Sequence, residues 1–356
     1  MNILIAGYGN IGRSLKSLLD KHPISSIENI HIADISDGLE AVSEIKRMKD
    51  TLDIVVNVTS YDNVDIIQTC EKYGIHYIDT GFEETYKILD VLYSRSNQKS
   101  PIVKMWGFGM NPGLIEYMYL KHNISKNHIV IEFETDTGVH YDDIFNTWSP
   151  ETYYTESVKE TPFVIVNGIK QFITHNESDA DVELFYDGKM HKYLWIPHEE
   201  IYTITNLNPL CKLCAFLYSA PQKLQEHLIQ LRGKRLALEN KIPVLHDIEG
   251  YDCVGLLIYD DSKNLTYIYN KADHQHCFKE YSCNGTSWQV ACGIYVALTI
   301  MPFLDLGSYT FSNIPKSLFP IIDKTLDNLN FSIQKCENAI DEKEFKEKII
   351  NKFISF

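Results

Sequence analysis

The sequence is short of positive charge, of long apolar runs and, through its middle, of arginine, and each shortage removes a class of function. Against 48 Asp and Glu it carries 33 Lys and Arg, a formal net charge of −15 at pH 7. Such an excess repels phosphate backbones and anionic lipid, which argues against nucleic acid and membrane surfaces as main partners and for small cationic molecules. No stretch reaches the roughly 20 uninterrupted apolar residues of a membrane span. The opening MNILIAGYGN lacks a basic leader and fits a buried strand better than a signal peptide, so a cytosolic location is expected. Between Trp106 and Leu231 there is no arginine. Sites that grip a substrate carboxylate usually need its planar fork. Repeats and low-complexity segments are also missing. The cysteines (70, 211, 214, 253, 277, 283, 292, 336) follow no framework spacing and read as free core thiols. Cys211-x-x-Cys214 finds no matching C-x-x-C or spaced histidine pair among His274, His276, Cys277 and Cys283, so no metal site is expected.

What is present suffices for two domains. The chain has 356 residues, 44% of them hydrophobic, with 22 Tyr and 16 Phe, and a domain takes roughly 100–200 residues. Residues 2–6 form an apolar run that stops at Gly7-Tyr8-Gly9-Asn10-Ile11-Gly12 and passes into RSLKSLLDKH, whose apolar spacing is helical. Further strands are expected at Ile27–Ala33, Leu52–Val58, His76–Ile78 and Ile102–Trp106, with helices at Asn63–Tyr73 and after Glu83. This alternation predicts an α/β fold whose first domain, 1–106, is a Rossmann doubly wound parallel sheet. Longer β-rich runs follow at His128–Phe133, Phe163–Thr174, Val182–Tyr186 and Val254–Asn270. They predict an α+β second domain, 107–287, on a mixed or antiparallel sheet. Trp288–Phe303 returns to helical spacing and 318–356 is an amphipathic, Lys/Glu-rich stretch, so 288–356 is expected to be helical and to pack back on the first domain.

A glycine fingerprint alone is weak, but here it follows a strand, opens a helix and has an acid at the end of the second strand. Gly7 permits the tight turn, Gly9 close approach of a pyrophosphate and Gly12 helix-to-strand packing, with Asn10 and Ile11 opening the helix. Asp34 would accept from the adenine-ribose hydroxyls and repel a 2′-phosphate, which favours NAD over NADP. Asn57, Thr59 and Ser60 end the third strand where the ligand crevice opens; they read equally as cofactor contacts or as caps of the next helix.

Beyond this domain, unusual residues concentrate in Gly109-Met110-Asn111-Pro112-Gly113, in Asn146-Thr147-Trp148-Ser149 with Glu156 beyond it, and in Asn284-Gly285-Thr286-Ser287-Trp288-Gln289-Val290. Together with the glycine fingerprint they resemble the homospermidine synthase branch of the saccharopine dehydrogenase-like family, including its Trp-to-Glu spacing. Asp252-Cys253-Val254-Gly255-Leu256-Leu257 resembles a further family strand, Thr135-Asp136-Thr137 follows Glu134, and Pro197-His198-Glu199-Glu200 stands where the family has an HNE-like segment. The chain departs from the family in length and at Cys214–Pro221, which lacks a histidine-containing Y-H-P stretch.

The resemblance implies an enzyme in which NAD oxidises a diamine such as putrescine to an imine, a second diamine displaces ammonia, and the new Schiff base is reduced. A homodimer is expected. A one-way reductase of the saccharopine or carboxynorspermidine dehydrogenase kind, or a non-catalytic NAD-sensing regulator, would share the glycine fingerprint. The residues themselves agree with a cationic substrate, since the arginine-free stretch contains Glu116, Glu132, Glu134, Asp136, Asp142, Asp143, Glu151, Glu156 and Glu160. Trp148 is the candidate cation-binding wall, because a ring face attracts a desolvated cation by up to ~2 kcal/mol; otherwise it is a core aromatic. Glu156 and Glu134 are candidate carboxylate partners, or solvated charges. Asn111 presents its amide to the nicotinamide or a substrate nitrogen, or only closes its turn. Asp252 is an amine-binding carboxylate or the outer face of an edge strand.

Overall fold

The computed structural model describes residues 1–59, 64–81, 99–122, 128–141, 143–173, 182–186, 189–231, 242–337 and 342–353. Ser60, Asp142 and the helix expected after Glu83 lie outside the described residues. The chain forms two compact units, Met1–Leu114 with Cys277–Ser332, and Ile115–His276 with Ile333–Phe356. The borders therefore differ from those expected at 106 and 287, and the tail is divided. Its helix Phe319–Asn328 belongs to the first unit, but Ile333–Glu337 is a strand of the second. Phe345, Ile349 and Ile350 also join the second unit's core. The Lys/Glu-rich surface of 318–356 gave a helical reading throughout, whereas edge pairing decides the conformation of Ile333–Glu337.

The first unit is built on β1 (Asn2–Ala6), β2 (Asn29–Ala33), β3 (Ile54–Asn57), β4 (His76–Asp79), β5 (Val103–Met105) and, late in the chain, β14 (Gly307–Tyr309). All its pairings are parallel, in the order β14-β5-β4-β3-β1-β2. Ile3, Leu4, Ile5 and Ala6 are all fully buried, as a strand covered on both faces requires. The helix Gly285–Ile300 is apolar nearly all round and packs against the helix Asn10–Lys21. Gly293 permits one close approach: a Cβ there would lie 2.0 Å from the Gly109 carbonyl oxygen.

In the second unit, β6 (Ile129–Asp136) is central, parallel to β11 (Leu213–Ser219) and antiparallel to β12 (Tyr251–Tyr259). Outward from β12 come β13 (Leu265–Asp273) and β15 (Ile333–Glu337); outward from β11 come β10 (Lys189–Trp195) and β9 (Val182–Tyr186). β7 (Phe163–Val166) also pairs with β11 and forms a hairpin with β8 (Ile169–Phe172). The single runs read at Phe163–Thr174 and Val254–Asn270 are thus hairpins. Asn167 and Gly168 both take left-handed φ, as a two-residue hairpin turn demands. Asp260 and Asn264 close the turn between β12 and β13 through main-chain and side-chain hydrogen bonds. The sheet is mixed, as expected.

Candidate functional site

In the first unit the strand order reverses between β1 and β3, and open α/β sheets bind ligands at the C-terminal edge of such a switch point. Both segments that border it carry the residues singled out above. Gly7 takes φ +93, and a Cβ on it would come within 2.9 Å of the Val58 carbonyl oxygen. A Cβ on Gly12 would sit 2.2 Å from the Gly7 carbonyl oxygen, whereas one on Gly9 meets nothing within 4 Å. Two of the glycines thus keep the turn closed, and Gly9 leaves open space above it. The helix Asn10–Lys21 starts at Gly9 without a side-chain cap, so its first amides are available to an anion.

Asp34 directly follows β2 and accepts from the Tyr8 amide at 2.5 Å and from the Ser36 amide and hydroxyl at 2.9 and 2.6 Å. These bonds, the Ser36 hydroxyl's above all, hold its carboxyl below the usual range and keep it anionic. A carboxylate has further lone pairs, so it remains an acceptor for a ribose diol. A dinucleotide fits this turn. Asn57 is buried; its amide donates to the Tyr77 hydroxyl at 3.0 Å and accepts from the Thr59 amide and hydroxyl at 3.1 and 2.7 Å. It and Thr59 shape the turn after β3.

In the second unit the alternation of β6 separates two chemistries. Ile129, Ile131 and Phe133 enter the apolar core beside Leu213, Ala215, Leu217 and Leu257. The opposite face carries Glu132, Glu134 and Asp136, all buried. At about 3.3 Å per residue these carboxylates stand about 6–7 Å apart along a row of about 13 Å. Register places Phe216 and Tyr218 of β11 beside Glu132 and Glu134, and Asp252 of β12 beside Asp136. Asp252 is fully buried and β12 lies between two strands, so it is not the outer face of an edge strand.

More acids meet this row. His198, Glu199 and Glu200, at the start of the helix Glu200–Leu207, are buried, and His198 stacks on Phe216 with ring centroids 4.2 Å apart. His198 Nδ1 is hydrogen-bonded to Glu200 Oε2. Glu132, His198 and Glu200 bring ligating atoms within 4.8 Å of one another, a set that suits a metal ion or an ammonium group. Both oxygens of Glu132, Oε1 of Glu200 and Oε2 of Glu156 are buried without a hydrogen-bond partner. Burial, then Glu200 and other neighbouring carboxylates, pushes Glu132 well above the ordinary glutamate range; burial and Glu199 do the same to Glu156. Glu199 is pushed up to about 7 by burial and Glu200, and Glu200 up to about 8 by burial. Burial lowers His198.

Glu156 sits on a π-helical turn, Thr155–Lys159, that continues the helix Pro150–Tyr154; such widened turns are frequent at functional sites. Trp148 is half-buried and its indole N–H has no partner. Its ring meets Tyr153 at 5.6 Å, and Tyr153 meets Tyr218 at 5.1 Å.

The second unit therefore contains Trp148, Glu134, Glu156 and Asp252 from the sequence reading. Asn111 belongs to the first unit, in the turn Gly109–Gly113 after β5. The residues that the reading did not place at a site are Glu132, Glu199, Glu200, His198 and Tyr218. The alternation Glu132-x-Glu134-x-Asp136 was the visible signal for Glu132, because acids at period two within a strand share a face.

No model of a known protein family matches the chain. Carboxyaminopropylagmatine dehydrogenase of Synechocystis sp. is 21% identical over 287 residues, 71% of this chain and 72% of the relative. Among solved structures, homospermidine synthase from Legionella pneumophila in complex with NAD superposes with a TM-score of 0.74 at 16% identity, covering 95% of this chain and 91% of that one. Saccharopine dehydrogenase (L-Glu forming) from Saccharomyces cerevisiae gives 0.63 at 10% identity over 95% and 100%. The chain has the fold of the saccharopine dehydrogenase-like family.

Proposed function

We propose that the protein is an NAD-dependent dehydrogenase of polyamine metabolism that joins two diamines of the putrescine type, as a homospermidine synthase does. The observation that carries this reading is the row of buried carboxylates on β6, met by further acids in a stretch of chain free of arginine. A four-carbon diamine spans about 6 Å between nitrogens by ordinary bond lengths, close to the spacing of alternate residues on a strand. The turn Gly7–Gly12 and Asp34 would hold NAD, which would supply the hydride acceptor and donor. Glu132, Glu134 and Glu156 hold ammonium groups by charge-assisted hydrogen bonds. An amine must lose its extra proton before it can give up hydride. Glu199, pushed up to about 7, is poised to take that proton at neutral pH. The face of Trp148 supports the cationic imine carbon–nitrogen unit, and the aromatic pairs around Tyr153 keep water from hydrolysing it.

Incubation with putrescine and catalytic NAD, followed by product mass and ammonia analysis, tests the reading. The expected outcome is a condensed triamine, one ammonia per product and no accumulation of NADH. Stoichiometric NADH without condensation would mean a simple amine dehydrogenase instead.

The sequence likeness to carboxyaminopropylagmatine dehydrogenase supports a second reading, a one-way reductase that joins an amine to an aldehyde-bearing acid. Its mark is a strict demand for added NAD(P)H and an acidic co-substrate.

A further inference from the structure

Behind Trp148 lies a buried group of polar side chains that the proposed chemistry does not use. Asp136 Oδ2 accepts from the Thr147 hydroxyl at 2.6 Å. Its Oδ1 accepts from the Gly138 amide at 2.7 Å and faces His274 Nε2 at 3.2 Å. Asp136, Thr147 and His274 are all buried, His274 completely. Thr147 leads directly into Trp148, and the Asn146 side chain accepts from both amides, at 2.8 and 3.4 Å. The turn 146–148 is thus tied to β6 through one carboxylate.

That carboxylate has a like-charged neighbour. Asp252 stands opposite Asp136 in the β12–β6 register and is itself fully buried. Two carboxylates side by side in a dry interior repel, and beside the Gly138 amide a further donor, one that can carry positive charge, is needed to offset that repulsion and keep Asp136 turned to Thr147. His274 occupies that place, anchored by its own amide to the Gly250 carbonyl at 3.0 Å. The charged and titratable groups that bear on it are Asp136 from β6, Asp252 from β12 and Asp273 at the end of β13; Tyr218 of β11 feels both Asp136 and Asp252. Burial alone would lower its pKa, and the hydrogen bond and charge of Asp136 with the charges of Asp252 and Asp273 reverse the direction, so it is raised.

We infer that His274 is a positioning residue: through Asp136 and Thr147 it fixes the turn that aims Trp148 at the substrate's cation. The role of Trp148 rests on the amine-site reading above, whereas the link from His274 to Trp148 is a matter of geometry and is tested separately.

The test uses the full chain with NAD, labelled with 5-fluorotryptophan and observed by fluorine NMR, the Trp148 resonance being assigned with Trp148→Phe. Thr147→Val, which removes the hydroxyl at nearly constant volume, and His274→Asn should both move the Trp148 resonance and leave Trp195, in the core of the same unit, in place. Thr147→Ser, which keeps the donor, should leave both where they are. With putrescine, Thr147→Val should raise KM or lower kcat on the order of tenfold at unchanged NAD affinity. The effect should disappear in a Trp148→Phe background. A Trp148 resonance unmoved by Thr147→Val or by a folded His274→Asn, or Trp148 and Trp195 moving together, overturns the inference. If His274→Asn does not fold, His274→Gln, read by the same two resonances, decides in its place. Absence of amine turnover in the wild type would sink the amine-site reading and leave the fluorine result standing.

Discussion

Binding of a diamine should expel protons from the second unit. With Glu199 at about 7 and Glu200 at about 8, the pair together holds about 1.4 protons at pH 7 by titration arithmetic. A diamine brings two ammonium groups among these oxygens, and a cation within hydrogen-bond distance pulls a carboxyl down by about 1–3 units. The expected release is therefore at least about one proton per diamine at pH 7. By linkage, affinity then improves about tenfold per pH unit for each proton released. The gain should run from pH 6 to about 8 and stop as Glu200 ionises without help. Calorimetric titration with putrescine in phosphate and in Tris reads the released protons directly, since the heats differ by buffer ionisation enthalpy times protons released. Equal heats in both buffers, with an affinity flat from pH 6 to 8, would refute this use of the cluster. The same shifts set the sign for stability without ligand. The folded-state values lie above those of the unfolded chain, so this contribution is complete below about 4.5 and is lost as pH rises through 7 and 8. The melting temperature of the ligand-free protein should fall over that window, and putrescine should flatten the fall.

Three substitutions probe the rest of the reading. Asp34→Ala should narrow the preference for NAD over NADP in measured dissociation constants; equal affinities in the wild type would remove the assignment. Gly12→Ala should destroy NAD binding and destabilise the first unit, because its Cβ would lie 2.2 Å from the Gly7 carbonyl oxygen, and normal melting with normal NAD affinity would contradict the geometry. Trp148→Ala should cut putrescine turnover on the order of tenfold or more while NAD affinity is kept, with Trp148→Phe retaining part of the activity; an alanine variant that unfolds beside a phenylalanine variant like wild type would make Trp148 a core residue.

The first unit was legible because its determinants are local. A strand, three glycines at fixed offsets and an acid at the next strand's end place the switch-point turn without any long-range knowledge. The second unit was less so. Its carboxylates come from β6, from β12, from the π-helical turn Thr155–Lys159 and from the start of the helix Glu200–Leu207, and only the sheet register brings Asp252 beside Asp136. Glu199 and Glu200 appeared in the sequence as a motif without a partner, because what gives them meaning is the proximity of Glu132. In the segment Cys214–Pro221, Phe216 and Tyr218 alternate onto the acidic face beside Glu132 and Glu134 while Leu217 turns to the core. The tail was misread because its surface charge masks an edge strand.

The carboxylate row also opposes the fold that carries it, and this gives the sharpest test of purpose. Glu132 is completely buried, both its oxygens lack a partner, and Glu200 and Glu116 press on it as like charges. A stability-driven sequence would place a neutral or apolar residue there, as it does at Ile131 and Phe133 on the other face. Glu132→Gln keeps the shape, removes the ionisable group and gives Glu200 a donor. The variant should therefore gain roughly 0.5–2 kcal/mol at pH 8, the usual size of such relief at a functional site. Burial and the neighbouring carboxylates raise the Glu132 carboxyl and so favour its neutral form as pH falls, so the gain should shrink toward pH 5. Diamine affinity should drop at least tenfold at pH 8, since a charge-assisted hydrogen bond is replaced by a neutral one. Thermal melts at the two pH values and putrescine titration of both proteins measure all three quantities. A variant less stable than wild type at pH 8, with unchanged diamine binding, would mean that Glu132 is held for the fold and that the amine is seated elsewhere.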